Sequence, residues 1–224
     1  MTLIVIRPEP GVTTTVAAAR ERGLDAEAWP LSAARATDWQ MPSPEDFDAL
    51  LVGSANVFRL GGAWMEVFRD LPVHAVGQTT AEVARAAGFR VDFVGEGGLQ
   101  SILDAHVSQT IRYLRLGGAE RVAVEPDRSV MIEARTVYEI VHCAMPDALA
   151  DKLRDRAALV LLHSAGAARH FAAECDRLAI ARNGIGLACL GPRIAEAAGA
   201  GWVTIASAPQ PNDAALLALA ADLR

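Results

Sequence analysis

Short apolar runs, each closed by a glycine, a serine or a polar stretch, set the rhythm of this chain: LIVI at 3–6, ALLV at 49–52, VHAV at 73–76, VDFV at 91–94, ALVLL at 158–162 and IGLAC at 185–189. Runs of this length that lead into a helical period read as strands buried on both faces of a parallel sheet, with helices as the crossovers. The densest example is Asp48 to Gly98. There the loops Gly53-Ser54-Ala55-Asn56, Gly77-Gln78-Thr79-Thr80 and Gly95-Glu96-Gly97-Gly98 follow successive strands and share one sheet edge. Small and hydroxyl residues in them leave backbone N–H groups open at helix N-termini, the place where an α/β protein binds anions.

A weaker copy of this stretch closes the chain. ALVLLHSAGAARHF repeats ALLVGSANVF and sets Ser164 against Ser54, while IGLACLGPRIAEAAGAGWVTIAS follows VHAVGQTTAEVARAAGFRVDFVG. The openings LIVIRPEP and IRYLRLGG each carry a strand ending on an arginine, Arg7 and Arg115. The pattern is a duplicated α/β unit with about ten strands, five per copy.

Taken in order, the sequence predicts a strand at 3–7 and then a helix with N-cap candidates in Thr13-Thr14-Thr15 and a stop at Gly23. A second strand follows at 25–30. Residues 31–47, with Pro42 and Pro44 and neither helical nor strand period, read as a connection. Helices are expected at 56–68, 80–87 and 98–107, and strands at 111–116 and 135–141. Between those two strands, residues 117–134 hold a strand-like VAV and Pro126, so the helix that the duplication calls for is short or missing. Helices at 146–156 and 213–223 complete the reading, the last capped by Asn212.

The 52% hydrophobic content is enough for two cores, and a net charge of −6 without a Lys/Arg cluster argues against a nucleic-acid surface. Basic residues are 20 Arg to the single Lys152, a bias that suits carboxylate or phosphate recognition but that a GC-rich genome also produces. Cys143, Cys175 and Cys189 have no paired spacing, which reads as buried thiols in a reduced compartment. No apolar run reaches the roughly 20 residues of a membrane span. The expectation is a cytoplasmic protein with neither membrane nor nucleic-acid partner.

Candidate chemistry is sparse. No GxGxxG follows the first strand and there is no Walker lysine. Leu162-His163-Ser164-Ala165-Gly166 is half of a nucleophile elbow, with Leu162 where the first glycine belongs, so Ser164 reads as a helix cap or ligand contact. His170 and Glu174 at i, i+4 lack a third metal ligand and read as a solvated helix face. His74 reads as a satisfied core histidine, and GEGG at 95–98 as either an anion nest or a flexible turn. What remains is two sets of loops rich in Ser, Thr and Gln, with Arg7 and Arg115 at strand ends: a surface for a polyanion.

The ordered set IVIRPEP, VGSANV, VHAVGQTTAEVARAAGFRV, TVYEIV, LLHSAGAARHF and PNDAALLALA resembles the uroporphyrinogen-III synthase family and spans almost the whole chain. The resemblance implies two flavodoxin-like, parallel-sheet α/β domains with a double chain crossing through a two-stranded β linker. Residues 1–33 with 146–224 would form one discontinuous domain and 37–142 the other, with crossings at 34–36 and 143–145. It implies a monomeric hydro-lyase that cyclises hydroxymethylbilane, a linear tetrapyrrole with eight carboxylates, to uroporphyrinogen III. Ring D inverts through a spiro intermediate and water is lost, with no metal or organic cofactor. Tyr138 matches the family's tyrosine in its VY strand and is the implied proton donor, against the alternative of a hydroxyl satisfied at the domain junction. Ser54, Ala55, Asn56, Gln78, Thr79, Thr80, Ser164 and Ala165 match loop positions that would face the substrate, joined by Arg7 and Arg115. In the last unit Gly191-Pro192-Arg193-Ile194-Ala195 stands where the family often reads Gly-Pro-Thr-Thr-Ala, so Arg193 takes over a carboxylate contact or the contact is lost. The rival reading is a non-catalytic two-domain binder of tetrapyrroles or polycarboxylates.

Overall fold

The apolar runs become eleven strands among the residues that the structure, a computed structural model, describes: 1–155 and 157–223. The first half of the chain contains β1 (Thr2–Val5), α1 (Gly11–Glu21), β2 (Ala26–Ala28), β3 (Ser32–Ala36), β4 (Ala49–Val52), α2 (Asn56–Leu60), β5 (Val73–Val76), α3 (Gln78–Ala86), β6 (Val91–Gly95) and α4 (Leu99–Ala105). The second contains β7 (Ile111–Gly118), β8 (Val130–His142), α5 (Asp147–Asp155), β9 (Ala158–Leu162), α6 (Ala165–Arg177), β10 (Ile185–Cys189), α7 (Pro192–Ala198), β11 (Thr204–Ser207) and α8 (Asp213–Asp222). Two compact units result. Unit 1 is Met1–Ala33 with Val141–Arg224, and unit 2 is Ala34–Ile140.

Unit 1 holds a five-stranded parallel sheet in the order β11-β10-β9-β1-β2. Numbered within the unit this is 2-1-3-4-5, the flavodoxin-like order. Its central strands β9 and β10 are buried at every residue. One face packs Ile4, Val160, Leu162 and Leu187 against Phe171 of α6. The other packs Leu3, Val5, Leu159 and Leu161 against α1 and α8. Each such aliphatic side chain contributes about 1.5–3 kcal/mol on burial, which is why non-alternating runs make central strands.

Unit 2 holds a six-stranded sheet in the order β3-β8-β7-β4-β5-β6. The five strands from β8 to β6 take the same 2-1-3-4-5 positions when β7 is matched to β1, β8 to β2, and β4, β5 and β6 to β9, β10 and β11. The repeats read from sequence and the positions in the sheets therefore agree. The connection in place of α1 is not a helix: residues 119–129 run as loop and turn from β7 to β8, and VAV at 122–124 is not a strand.

Several boundaries differ from the sequence reading. Residues 32–36, expected as connection, form β3, because its order comes from its neighbour β8 and not from a local period. β8 starts at Val130, five residues ahead of the expected 135. The helix expected at 56–68 stops at Leu60, and after Gly61-Gly62 continues only as a 3-10 segment, Ala63–Phe68; a methyl on Gly61 would lie 2.6 Å from the Val57 carbonyl oxygen. α1 begins at Gly11, so Thr13, Thr14 and Thr15 lie inside it and none caps it. The helix expected at 146–156 runs Asp147–Asp155, and Arg156 lies outside the described residues.

Candidate functional site

Because β4 to β8 in unit 2 pair in parallel with one another, as do the five strands of unit 1, each unit gathers its strand-to-helix loops on one edge. The predicted binding residues fall on these two edges.

In unit 1, Arg7 follows β1 and directs Nη1 inward. It donates to Asp213 Oδ2 at 3.0 Å and Oδ1 at 3.2 Å, and to Thr15 Oγ1 at 3.2 Å. Thr15, fully buried, donates to Asp213 Oδ2 at 2.7 Å. The guanidinium lies so close over α1 that a methyl on Gly11 would stand 2.4 Å from Arg7 Nε. Burial opposes ionisation of Asp213, but His163, Thr15 and Arg7 together outweigh it and bring the carboxyl to about 2. Asp213 is thus an anion at the N-terminus of α8, where the helix dipole also favours it, and the charge of Arg7 is neutralised inside the fold.

The His163 side chain, 7% exposed, brings Nε2 within 3.4 Å of Asp213 Oδ1, and among the described residues neither ring nitrogen makes a well-aligned hydrogen bond. Burial lowers its pKa against the pull of Asp213, so the ring is neutral at pH 7. Next to it, Ser164 caps α6: its Oγ accepts from the Ala167 N–H at 3.1 Å, as a cap serine should. Ala165 opens that helix. Arg193 is exposed in the first turn of α7 and has neither an ion pair nor a hydrogen bond among the described residues.

In unit 2, Ser54 Oγ accepts from the Asn56 N–H at 3.3 Å, Ala55 is buried, and Asn56 Oδ1 accepts from Arg59 at 3.3 Å. Gln78 and Thr79 are exposed in the first turn of α3. Thr80, expected with them in the loop, is instead buried on the helix face it shares with Ala81 and Ala84, because helical spacing turns it onto the core.

Arg115 is the one buried arginine among the described residues, 8% exposed. Registry explains why. It pairs with Leu51 in β4, whereas Arg7 lies two residues beyond Val5, the last registered residue of β1. Arg115 thus stands inside the strand where unit 1 has a core valine, and the rhyme of the two arginines is offset by two. Nη2 donates to the Val122 carbonyl at 2.8 Å, and among the described residues no carboxylate pairs with it. Burial, then the charge of Arg121, presses its pKa down. Arg121, absent from the sequence reading, donates to the Gly118 carbonyl at 3.0 Å and to Thr136 Oγ1, also without a carboxylate partner. Its sequence signal was the first arginine after RLGG.

Tyr138 on β8 registers with Gly118 at the end of β7 and is half-buried beside Leu116 and Val137. A methyl on Gly118 would lie 2.8 Å from the Tyr138 ring and 3.2 Å from its hydroxyl, so this glycine is the seat of the phenol. Gly117 and Gly118 separate the two groups: the Arg121 guanidinium approaches Gly117 and the phenol covers Gly118.

Elsewhere the bland readings hold in part. His74 Nδ1 meets the Tyr113 hydroxyl at 2.7 Å in the core. Glu174 is not on a solvated face: it is buried, accepts from the Met145 N–H at 2.5 Å, and is held at about 2 by Arg177 first and that N–H besides. No group of three or more His, Cys, Asp or Glu among the described residues is arranged to hold a metal, and no described helix is long and apolar enough to cross a membrane. A hollow of about 250 Å³ in unit 2, lined by Thr37, Asp38, Trp39, Gly61 and Trp64, falls below the usual size of a small-molecule site.

A sequence profile described as Uroporphyrinogen-III synthase HemD matches residues 13–218. Among solved structures, the chain resembles uroporphyrinogen-III synthetase from Helicobacter pylori, with a TM-score of 0.66 and 18% identity over the whole of both chains. It also resembles a mutant uroporphyrinogen III synthase from Thermus thermophilus, with a TM-score of 0.52 and 14% identity over 100% of this chain and 99% of that one. At such identities these two likenesses are likenesses of fold. No curated protein sequence matches.

Proposed function

We infer the chemistry from one premise: the chain belongs to the uroporphyrinogen-III synthase family. It is a uroporphyrinogen-III synthase, a hydro-lyase of tetrapyrrole biosynthesis. The substrate we assign is hydroxymethylbilane. Its terminal hydroxymethyl group supplies the electrophile once the hydroxyl leaves, so no cofactor enters the proposed steps. The protein's task is to decide which carbon of ring D attacks, a matter of proximity and orientation.

Tyr138 is assigned as the proton donor to the departing hydroxyl, which leaves as water. Attack by the substituted carbon of ring D then gives the spiro intermediate, and its reopening and reclosure invert the ring. Holding Tyr138 over Gly118 gives the phenol one orientation, which supports the role. Carboxylates of the substrate are assigned to the loop edges: to Ser54, Ala55, Asn56, Gln78 and Thr79 with Arg115 in unit 2, and to Ser164, Ala165 and Arg193 in unit 1. Arg7 donates to Asp213 and Thr15 through Nη1, and its remaining donors, which lie over Gly11, are assigned to substrate. Thr80 acts only by orienting α3. In this reading the enzyme is a cytoplasmic monomer without a nucleic-acid partner, the last supported by its net charge of −6.

The observation that carries the assignment is the family match over residues 13–218. Its test is to supply enzymatically generated hydroxymethylbilane, oxidise the products and separate the isomers. Type III porphyrin is expected; type I alone, the product of unassisted closure, would end it, and tight uroporphyrin binding without turnover would favour the binder.

A further inference from the structure

Unit 1 follows β1 with α1, but unit 2 follows the equivalent β7 with residues 119–129, which form no helix. The space is organised by side chains. Gln100 of α4 holds the loop through the Glu125 N–H at 2.8 Å and carbonyl at 3.0 Å, and Arg115 holds it through the Val122 carbonyl at 2.8 Å. One neutral acceptor does not compensate a guanidinium with five donors that is 8% exposed. Burying a charge in this way is costly, and the usual remedy is a carboxylate. Among the described residues none pairs with Arg115, although Glu120, Glu125 and Asp127 stand in the same loop; Asp127 is turned to Ser129 at 2.6 Å. A second cation is placed beside it instead: Arg121 is fixed by the Gly118 carbonyl and by Thr136 Oγ1, on the face of β7 that carries Arg115.

We propose that Arg115 and Arg121 form a carboxylate site, built where unit 2 lacks its helix, that takes one acetate or propionate side chain of the tetrapyrrole at the end of β7. Two planar forks with open N–H groups suit a carboxylate better than a neutral ligand. The arriving anion supplies the charge that the fold withholds. Its position also sets the register of the substrate, since Tyr138 lies across Gly117-Gly118 from Arg121. Arg121 is therefore a binding residue for one substituent, and its effect falls on affinity first.

The proposal rests on the substrate assignment above, and two measurements keep their failures apart. Isomer analysis of the wild-type product tests the assignment alone. Titration of uroporphyrin III, the stable octacarboxylate, into wild type, Arg121→Gln, Arg121→Lys and Arg115→Lys tests the site. Arg121 is exposed, so its glutamine variant folds as wild type does, and Arg115→Lys keeps the charge in the core. Arg121→Gln should bind about 10-fold more weakly at low ionic strength, with the difference shrinking as salt is added, and Arg121→Lys about threefold more weakly, since it keeps the charge but not the fork. Arg115→Lys should lose about as much, because an ammonium cannot reproduce the fork. Equal affinity of wild type and Arg121→Gln at low salt would overturn the site, even with type III product in hand.

Discussion

Two strands in equivalent positions, β1 and β7, are each accompanied by an arginine, and the two arginines have opposite fates. Arg7 lies beyond its strand and is neutralised by Asp213 and Thr15. Arg115 lies within its strand, is buried more deeply, and has Arg121 for a neighbour where Arg7 has an acid. The same 2-1-3-4-5 sheet therefore offers two different edges. In unit 1 Arg7 and its acid close on each other, leaving the Ser164 cap and the exposed Arg193 at the edge. In unit 2 two cations and a seated phenol remain open. The two units share the strand order, and where unit 1 has α1 after β1, unit 2 has a loop after β7 that carries Arg121 beside Arg115.

The largest effect that follows is on Tyr138, which has no tyrosine counterpart in unit 1. Tyr138→Phe should lower kcat by about 100-fold with folding unchanged, the usual contribution of a positioned proton donor. A rate equal to wild type would return Tyr138 to a packing role.

Next comes the acid that makes unit 1 different. Asp213→Asn should lower stability by about 1–3 kcal/mol at pH 7, since a charge-assisted network is broken, while uroporphyrin binds about threefold more tightly to the released Arg7. The folded carboxyl titrates near 2 against an ordinary 3.8, so its contribution is complete above 3.8 and fades as pH falls toward 2. Urea midpoints of variant and wild type should accordingly converge at acid pH. A smaller change is expected for Arg7→Gln, about threefold weaker binding and less than Arg121→Gln, because half of the Arg7 fork is already occupied. An equal loss in the two variants would erase the contrast between the edges.

The last effect is absent at neutral pH and belongs to the core of unit 2. His74 is held at about 4, chiefly by burial and then by the charge of His106, with Asp92 opposing. Tyr113, His106 and Phe93 surround its ring. The unfolded chain takes up this proton near 6.5 and the folded one near 4, so stability falls as pH drops through that interval. His74→Leu should flatten the fall, as read from urea midpoints between pH 7 and 4. An unchanged slope would assign the loss to other groups.

Much of this was legible in the sequence. ALLV, VHAV and ALVLL announce central strands because burial on both faces leaves no polar position, and the ordered repeats correctly match β4 and β5 to β9 and β10. β3 was not legible: SAARA has no period, and its strand form depends on β8. The site was harder to read. Ser164 as a cap follows from local chemistry, but the burial of Thr80 depends on where α3 begins. The offset between Arg7 and Arg115 depends on registry between strands distant in sequence. Arg121 carries no motif, His163 and Asp213 lie in quoted stretches that assign them no role, and only folding brings each to its partners.

The contrast between the edges is tested most directly by a crystal structure with uroporphyrin III bound. One carboxylate should lie about 2.7–2.9 Å from guanidinium nitrogens of both Arg115 and Arg121, while Arg7 keeps its bond to Asp213. A bound tetrapyrrole with no carboxylate at that pair, or with Arg7 released from Asp213 to hold one in its place, would contradict the account.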